Sequence, residues 1–221
     1  MKTTSIMIVG VGGQGSLLAS KLLGGILVEE GYDVKVSEVH GMSQRGGSVV
    51  TYVRFGESVA SPVILEGEAD YIVSFEKLEA ARYAACLAPS GRIIVNTQEI
   101  DPMPVIIGRA AYPSDILAEL TAKDVALDAI DALSLAEEAG SAKAVNIVLM
   151  GRLARYLGIP REKWEDAIRA GVKPAFVDLN LRAFALGYEA CNLLRNPITK
   201  GIYIHPWNAI GRKKSKPRRR R

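Results

Sequence analysis

The chain has 221 residues, 48% of them hydrophobic, with two cysteines and a formal charge of +4. That length fits one domain able to bury a full core without a metal or disulfide staple. Cys86 and Cys191 are far apart with no Cys-x-x-Cys, which excludes a disulfide framework, a zinc site or an iron–sulfur cluster held by this chain.

Residues 3–20 carry no charge and follow Lys2, as in a signal peptide. Four glycines interrupt the stretch and no small-residue cleavage site follows, so it reads as the first strand and loop of a cytoplasmic domain. Ile6-Met7-Ile8-Val9 is a short buried strand ending at Gly10. A helix follows over 14–30, with Leu18, Leu22 and Ile26 spaced i, i+4 and Gly31 as its stop. Asp33–Glu38 reads as the second strand, and Val49-Val50-Thr51-Tyr52-Val53-Arg54-Phe55 as another. Tyr71-Ile72-Val73 is a buried strand, residues 76–87 a helix closed by Pro89-Ser90-Gly91, and 92–96 a further strand. A short helix covers 115–120, and Val125-Ala126-Leu127 is the last strand. The remainder is helical: Val145, Leu149, Leu153 and Leu157 form one stripe closed by Gly158, Pro160 opens a helix ending at Gly171, and 176–191 is the last helix. In that last helix Phe176, Asn180, Phe184 and Gly187 lie on or near one face. Strands alternating with helices predict a parallel α/β sheet with a helical C-terminal part. One domain over 1–195 is expected, followed by an extended basic tail over 196–221. Residues 212–221 hold eight Lys or Arg and no acid, leaving 20 basic and 24 acidic residues elsewhere, so the basic character belongs to the tail.

Gly10-Val11-Gly12-Gly13-Gln14-Gly15 matches the Gly-x-Gly-x-x-Gly pattern in its required place, after a strand and opening a helix. Glycines let backbone approach a ligand, and the free N–H groups at a helix start favour an anion. Glu38 ends the second strand, where an acid would hold the ribose of NAD or FAD. A tight turn with no dinucleotide is the other reading, and the next loop favours it. Val39-His40-Gly41-Met42-Ser43-Gln44-Arg45-Gly46-Gly47-Ser48 begins where the adenosine would lie. It carries three glycines beside His40, Gln44 and Arg45. Arg45 offers a planar fork for carboxylate or phosphate, His40 titrates near neutral pH, and Gln44 both donates and accepts. A surface hairpin with a locally paired Arg is the bland alternative; the convergence of polar groups favours a binding or interface loop. Both loops are expected at one edge of the sheet, where open α/β proteins bind ligands.

These residues together resemble the gamma-type subunit of 2-oxoacid:ferredoxin oxidoreductases, and most of all its indolepyruvate branch. The resemblance rests on the two loops, on Asn146 with Gly151, and on Asn180-x-x-Ala183-Phe184-x-x-Gly187. It covers roughly residues 4–190. It implies a Rossmann-like three-layer fold and a subunit that cannot run the reaction alone. Thiamine diphosphate and iron–sulfur clusters would sit on a large partner chain, with coenzyme A as co-substrate and ferredoxin reached through the complex. The site residues so implied are Gly10, Gly12, Gly13, Gln14, Gly15, His40, Gln44, Arg45, Gly46, Gly47 and Asn146. They would face the partner or hold an anionic substrate, with Arg45 supplying the charge. A self-sufficient NAD(P)-binding oxidoreductase is the competing reading.

Asn146, read as mid-helix, needs a partner: a structural hydrogen bond or a ligand. Asn180 and Gly187 are assigned to packing, Glu76 to capping the helix that follows it, and both cysteines to buried helical positions. The tail lacks interleaved aromatics and follows an acidic domain, so nucleic acid and membrane are not its expected partners. It is read as solvated or as meeting an acidic partner subunit. Trp207 suggests docking against that partner.

Overall fold

A computed structural model describes residues 3–38, Ser43 and 46–194. His40, Gln44, Arg45, Trp207 and the tail over 196–221 lie outside the described residues. Six strands form one mixed sheet: β1 (Thr4–Val11), β2 (Asp33–Glu38), β3 (Ser48–Gly56), β4 (Ala69–Ser74), β5 (Leu87–Asn96) and β6 (Leu127–Ile130), in the order β2-β3-β1-β4-β5-β6. All run one way except β3, which pairs antiparallel with both β1 and β2. The expected mostly parallel α/β sheet is borne out.

β1 shows why the sequence reads as an unbroken apolar run. Ile6, Met7, Ile8 and Val9 are all fully buried, because helices cover both faces of the sheet. Successive side chains point to opposite faces. Ile6 and Ile8 enter one core with α1 (Ser16–Glu29), α5 (Ala132–Ala139), α6 (Val145–Leu157), α7 (Arg161–Gly171) and α8 (Val177–Glu189). Met7 and Val9 enter a smaller core with α2 (Lys77–Tyr83) and α4 (Ile116–Ala122). The C-terminal helices therefore all load one face, where Trp164 and Phe184 stack with ring centroids 6.0 Å apart.

α6 and α8 cross at van der Waals distance between backbones. A Cβ on Gly187 would stand 1.9 Å from the Val148 carbonyl oxygen, and one on Gly151 2.2 Å from that of Phe184. That contact explains Gly151 and Gly187 of the family pattern as packing. Asn180 donates to the Phe176 carbonyl at 2.7 Å. Beyond α8 the Asn192 amide accepts from Ala129 N–H at 3.1 Å and donates to the Leu127 carbonyl at 2.8 Å, closing the free edge of β6.

Several boundaries differ from expectation. The helix over 76–87 is only α2 followed by a 3₁₀ turn at Ala84–Cys86, and β5 starts at Leu87. Pro89-Ser90-Gly91 is not a helix stop but a bulge in β5, between the Ala69–Leu87 and Tyr71–Arg92 pairs. Gly91 permits it, since a Cβ there would sit 2.6 Å from the Ala69 carbonyl oxygen. The last strand is Leu127–Ile130 rather than 125–127. Asp128 hid it, because an acid is rare inside a strand. Here Asp128 is fully buried and paired with Arg152 through two bonds of 2.6 and 3.0 Å. Asn146 sits in the first turn of α6, not mid-helix, because a 3₁₀ turn at Ala142–Ala144 leads in. Phe176 lies in another 3₁₀ turn and is 52% exposed, off the buried face of α8. Cys191 is exposed beyond α8, and Cys86 is half-buried in its 3₁₀ turn; neither is a buried helical residue.

Candidate functional site

β1 ends and β3 begins at the same edge of the sheet, Val11 pairing with Ser48. The two glycine-bearing loops therefore meet, as the sequence predicts. Gly12 N–H donates to the Gly47 carbonyl at 2.8 Å, and Gly47 N–H donates to that of Ser43 at 2.9 Å. Gly46 has φ +92, and a Cβ on Gly47 would stand 2.9 Å from the Ser43 Cα. This junction is main chain on main chain, so it survives most side-chain changes except at the glycines.

Gln14 then fills the space at the end of β1 and β4. Its Oε1 accepts from Val11 N–H at 2.8 Å, and its Nε2 donates to the Phe75 carbonyl at 3.2 Å and to Gln98 Oε1 at 3.4 Å. A Cβ on Gly10 would collide with Gln14 and Phe75, each at 2.9 Å. Gly15 caps α1 with φ +88 and no side-chain cap, leaving the first-turn N–H groups of α1 without intrahelical acceptors. Asn146 reaches back from α6 and donates to the Gly15 carbonyl at 3.2 Å. Of its two expected roles, the structure shows the structural hydrogen bond.

This geometry counts against a dinucleotide. The crevice between β1 and β4, where the strand order reverses, is the place a pyrophosphate would lie, and Gln14 occupies it. β3 stands between β1 and β2, moving Glu38 one strand further away than in a nucleotide-binding sheet. Glu38 also accepts a 2.5 Å bond from Ser20 Oγ on α1. The residues do not fit NAD(P), and the competing reading loses its ribose ligand.

Beside the glycine turn lies an open cavity of about 440 Å³, lined by Gly13, Gln14, Gly15, Gln98, Ile100 and Lys143 among others. Lys143 is exposed there, one turn before Asn146. An ammonium beside uncapped first-turn amides makes an electropositive spot. The sequence reading assigned Lys143 no role; its signal was a lone cation two residues before the apolar start of α6. Gln98 was missed too, although Asn96-Thr97-Gln98 is a polar run at a strand end.

Two buried carboxylates support the edge. Glu76 is 1% exposed and caps α2, accepting from Glu79 N–H at 3.0 Å, as expected from its position. It also accepts from Ile100 N–H at 3.3 Å and from the Tyr112 hydroxyl. Burial, then that hydrogen bond, pushes the Tyr112 pKa well above the ordinary tyrosine value. Glu79 accepts from Ser48 Oγ at the start of β3 and from Arg82 at 3.1 Å. Burial pushes the Cys86 thiol up, away from thiolate chemistry. Among the described residues no group of three or more His, Cys, Asp or Glu is placed to hold a metal, and no helix is long and apolar enough to cross a membrane.

Residues 5–190 match the model of the pyruvate ferredoxin/flavodoxin oxidoreductase family. The chain belongs to that family, as its two loops imply. It is 46% identical over 195 residues to indolepyruvate oxidoreductase subunit IorB of Thermococcus kodakarensis, covering 86% of this chain and 96% of the relative. Among solved structures it is similar to a keto/oxoacid ferredoxin oxidoreductase gamma subunit from Geobacter sulfurreducens, with TM-score 0.63 and 23% identity over 84% of this chain and 96% of that one. It is also similar to 2-oxoglutarate:ferredoxin oxidoreductase from Magnetococcus marinus, with TM-score 0.66 and 17% identity, over 85% of this chain but 31% of that chain. Those two likenesses establish the fold.

Proposed function

We propose that this chain is the small, non-autonomous subunit of a 2-oxoacid:ferredoxin oxidoreductase of the indolepyruvate type. The relative named as an indolepyruvate oxidoreductase subunit, matched over nearly its whole length, carries that reading. In such a reaction the 2-oxoacid loses its carboxylate as CO₂. The acyl carbon passes to the sulfur of coenzyme A, and two electrons go to ferredoxin. Thiamine diphosphate and iron–sulfur clusters on a larger partner chain supply the carbanion stabilisation and electron transfer. With cysteines only at 86 and 191, this chain's own residues do not fit an iron–sulfur cluster.

This chain's part is to complete and charge the edge of that partner's site. The backbone bonds from Gly12 to Gly47 and from Gly47 to Ser43 offer a main-chain platform at one sheet edge. Lys143 and the first-turn amides of α1 receive an anionic group, the phosphate of coenzyme A or the carboxylate of the oxoacid. In the sequence His40, Gln44 and Arg45 fall between Glu38 and Ser48, and Arg45 is assigned the role of a second cation for that anion. Gln14 and Asn146 hold the platform rather than touch the ligand.

The test is steady-state kinetics of the complex reconstituted from this chain and its larger subunit. Arg45→Ala and Lys143→Ala are each expected to raise KM for coenzyme A or for indolepyruvate roughly tenfold or more, the loss of one charge-assisted hydrogen bond. Unchanged KM for both substrates in both variants, with turnover intact, would remove the anion-holding role.

A further inference from the structure

The segment between β5 and α4 carries an apolar turn that nothing among the described residues covers. α3 (Met103–Ile106) is a single turn opened by Pro102, and Met103, Ile106 and Ile107 are 64%, 65% and 52% exposed. Single exposed aliphatics need no explanation, but three adjoining ones on one turn do. The segment is not a loose loop. At its first foot Lys77 N–H donates to the Gln98 carbonyl at 3.2 Å, Lys77 pairs with Glu99, and Ile100 N–H donates to Glu76. At its second foot the Tyr112 hydroxyl donates to the same Glu76 and accepts from Leu78 N–H at 3.2 Å. Both feet are therefore tied to the N-terminus of α2, beside the cavity that Ile100 lines. The apolar knuckle is presented in a fixed position, beyond the sheet edge that holds the candidate site.

We infer that Met103, Ile106 and Ile107 are the anchor through which this chain docks on the larger subunit of its complex. The inference rests on the proposed function for the existence of that subunit. Three observations select the occupant. First, Ile100 lines the candidate site only three residues before Met103, so a partner that completes the site is within reach of the knuckle. Second, the same fold makes up only 31% of the chain of a solved neighbour, so there it is accompanied by a much longer stretch of the same polypeptide. Third, the knuckle offers at most a few hundred Å² of apolar surface, short of the roughly 800 Å² per partner of a stable interface. It is too small to hold a second copy of this chain alone, and fits the apolar centre of a wider face that includes the joined loops. A pre-ordered apolar projection loses little conformational entropy on docking, as an anchor should.

The comparison patch is Val63 and Leu65, also exposed but in the connection between β3 and β4, at the opposite end of the sheet. The experiment measures affinity of the full chain for the purified larger subunit, with far-UV circular dichroism and Tm as fold controls. Ile106→Asp is expected to weaken binding roughly 30-fold or more, the loss of one buried anchor. Leu65→Asp should bind as wild type. Met103→Ala, a milder change, should weaken binding roughly fivefold and stands in if the aspartate variant loses structure. Wild-type affinity in Ile106→Asp and Met103→Ala overturns the inference while leaving the proposed function intact. Disruption of a homo-oligomer, with binding to the larger subunit unchanged, overturns it in favour of a second copy. No binding by the wild-type chain overturns the proposed function itself.

Discussion

At the crossing of α6 and α8, Gly151 and Gly187 let two backbones touch; in the 10–15 loop, Gly10 and Gly15 instead make room for the side chains of Gln14 and Asn146. The same residue type does opposite work in the two places. At the crossing the neighbouring atoms are carbonyl oxygens locked in helices, which cannot move aside. At Gly15 the nearest atom is the end of the Asn146 side chain, and at Gly10 the Gln14 amide oxygen shares that place with the Phe75 Cβ; the hydrogen bonds of those two amides hold the loop but can be rearranged. The crossing therefore governs whether the chain folds, and the loop governs how the site edge is shaped.

The largest expected effect is at the crossing. Gly187→Ala puts a methyl 1.9 Å from the Val148 carbonyl oxygen, and the two helices must separate. Overpacking of a core costs about 1–3 kcal/mol and more when backbone has to shift, so about 3 kcal/mol is expected. A urea titration reads this as a lowered midpoint. A midpoint equal to wild type would show that the helices slide freely and would erase the contrast with the loop.

Gly15→Ala comes next. The φ of +88 imposes about 1–2 kcal/mol on any residue with a Cβ, and the new methyl would stand 2.7 Å from the Asn146 amide nitrogen. The contrast becomes sharper in a double variant. Asn146→Ala removes the obstructing side chain, so the pair should cost less than the sum of the two single changes. Strict additivity would mean that the loop, like the crossing, is limited by backbone alone.

Gln14→Ala is smaller still. It leaves Val11 N–H and the Phe75 carbonyl without the Gln14 amide, a loss of about 1–2 kcal/mol. It also opens the crevice between β1 and β4. The isolated variant is nevertheless expected to bind no NADH in a fluorescence titration, because β3 still separates Glu38 from β1. Micromolar NADH binding by that variant would revive a dinucleotide role.

These residues also show what was legible in the sequence. β1, α1 and β2 were readable because their apolar spacing and the glycine stops at 10 and 31 are local signals. The meeting of the two loops was readable because a helix between two strands puts both strand ends at one edge. What escaped was set by distant partners. Asp128 hid β6 because its charge is matched only by Arg152, 24 positions on. The antiparallel placement of β3 between β1 and β2 escaped because a strand's neighbours are not written in its own periodicity. Lys143, Gln98 and the Met103–Ile106 turn escaped because exposure beside a cavity is a property of the folded edge, not of spacing.

The smallest effect concerns that edge and its dependence on side chains. Tyr112 donates to Glu76 and accepts from Leu78 N–H, tying the 97–112 segment to α2. Burial, then the Glu76 bond, raises its pKa above the ordinary tyrosine value. The folded chain thus holds this proton more tightly than the unfolded one. Tyr112 contributes its full stability below pH 10, and the contribution is lost as pH rises through the higher folded value. Tyr112→Phe should lower stability by about 1 kcal/mol at pH 7, and its deficit relative to wild type should narrow as pH passes above 10. Urea midpoints at pH 7, 9, 10 and 11 read this directly. No deficit at any of these pH values would mean that the residue acts by ring packing alone, and that the site edge is held as the helix crossing is, by packing rather than by polar side chains.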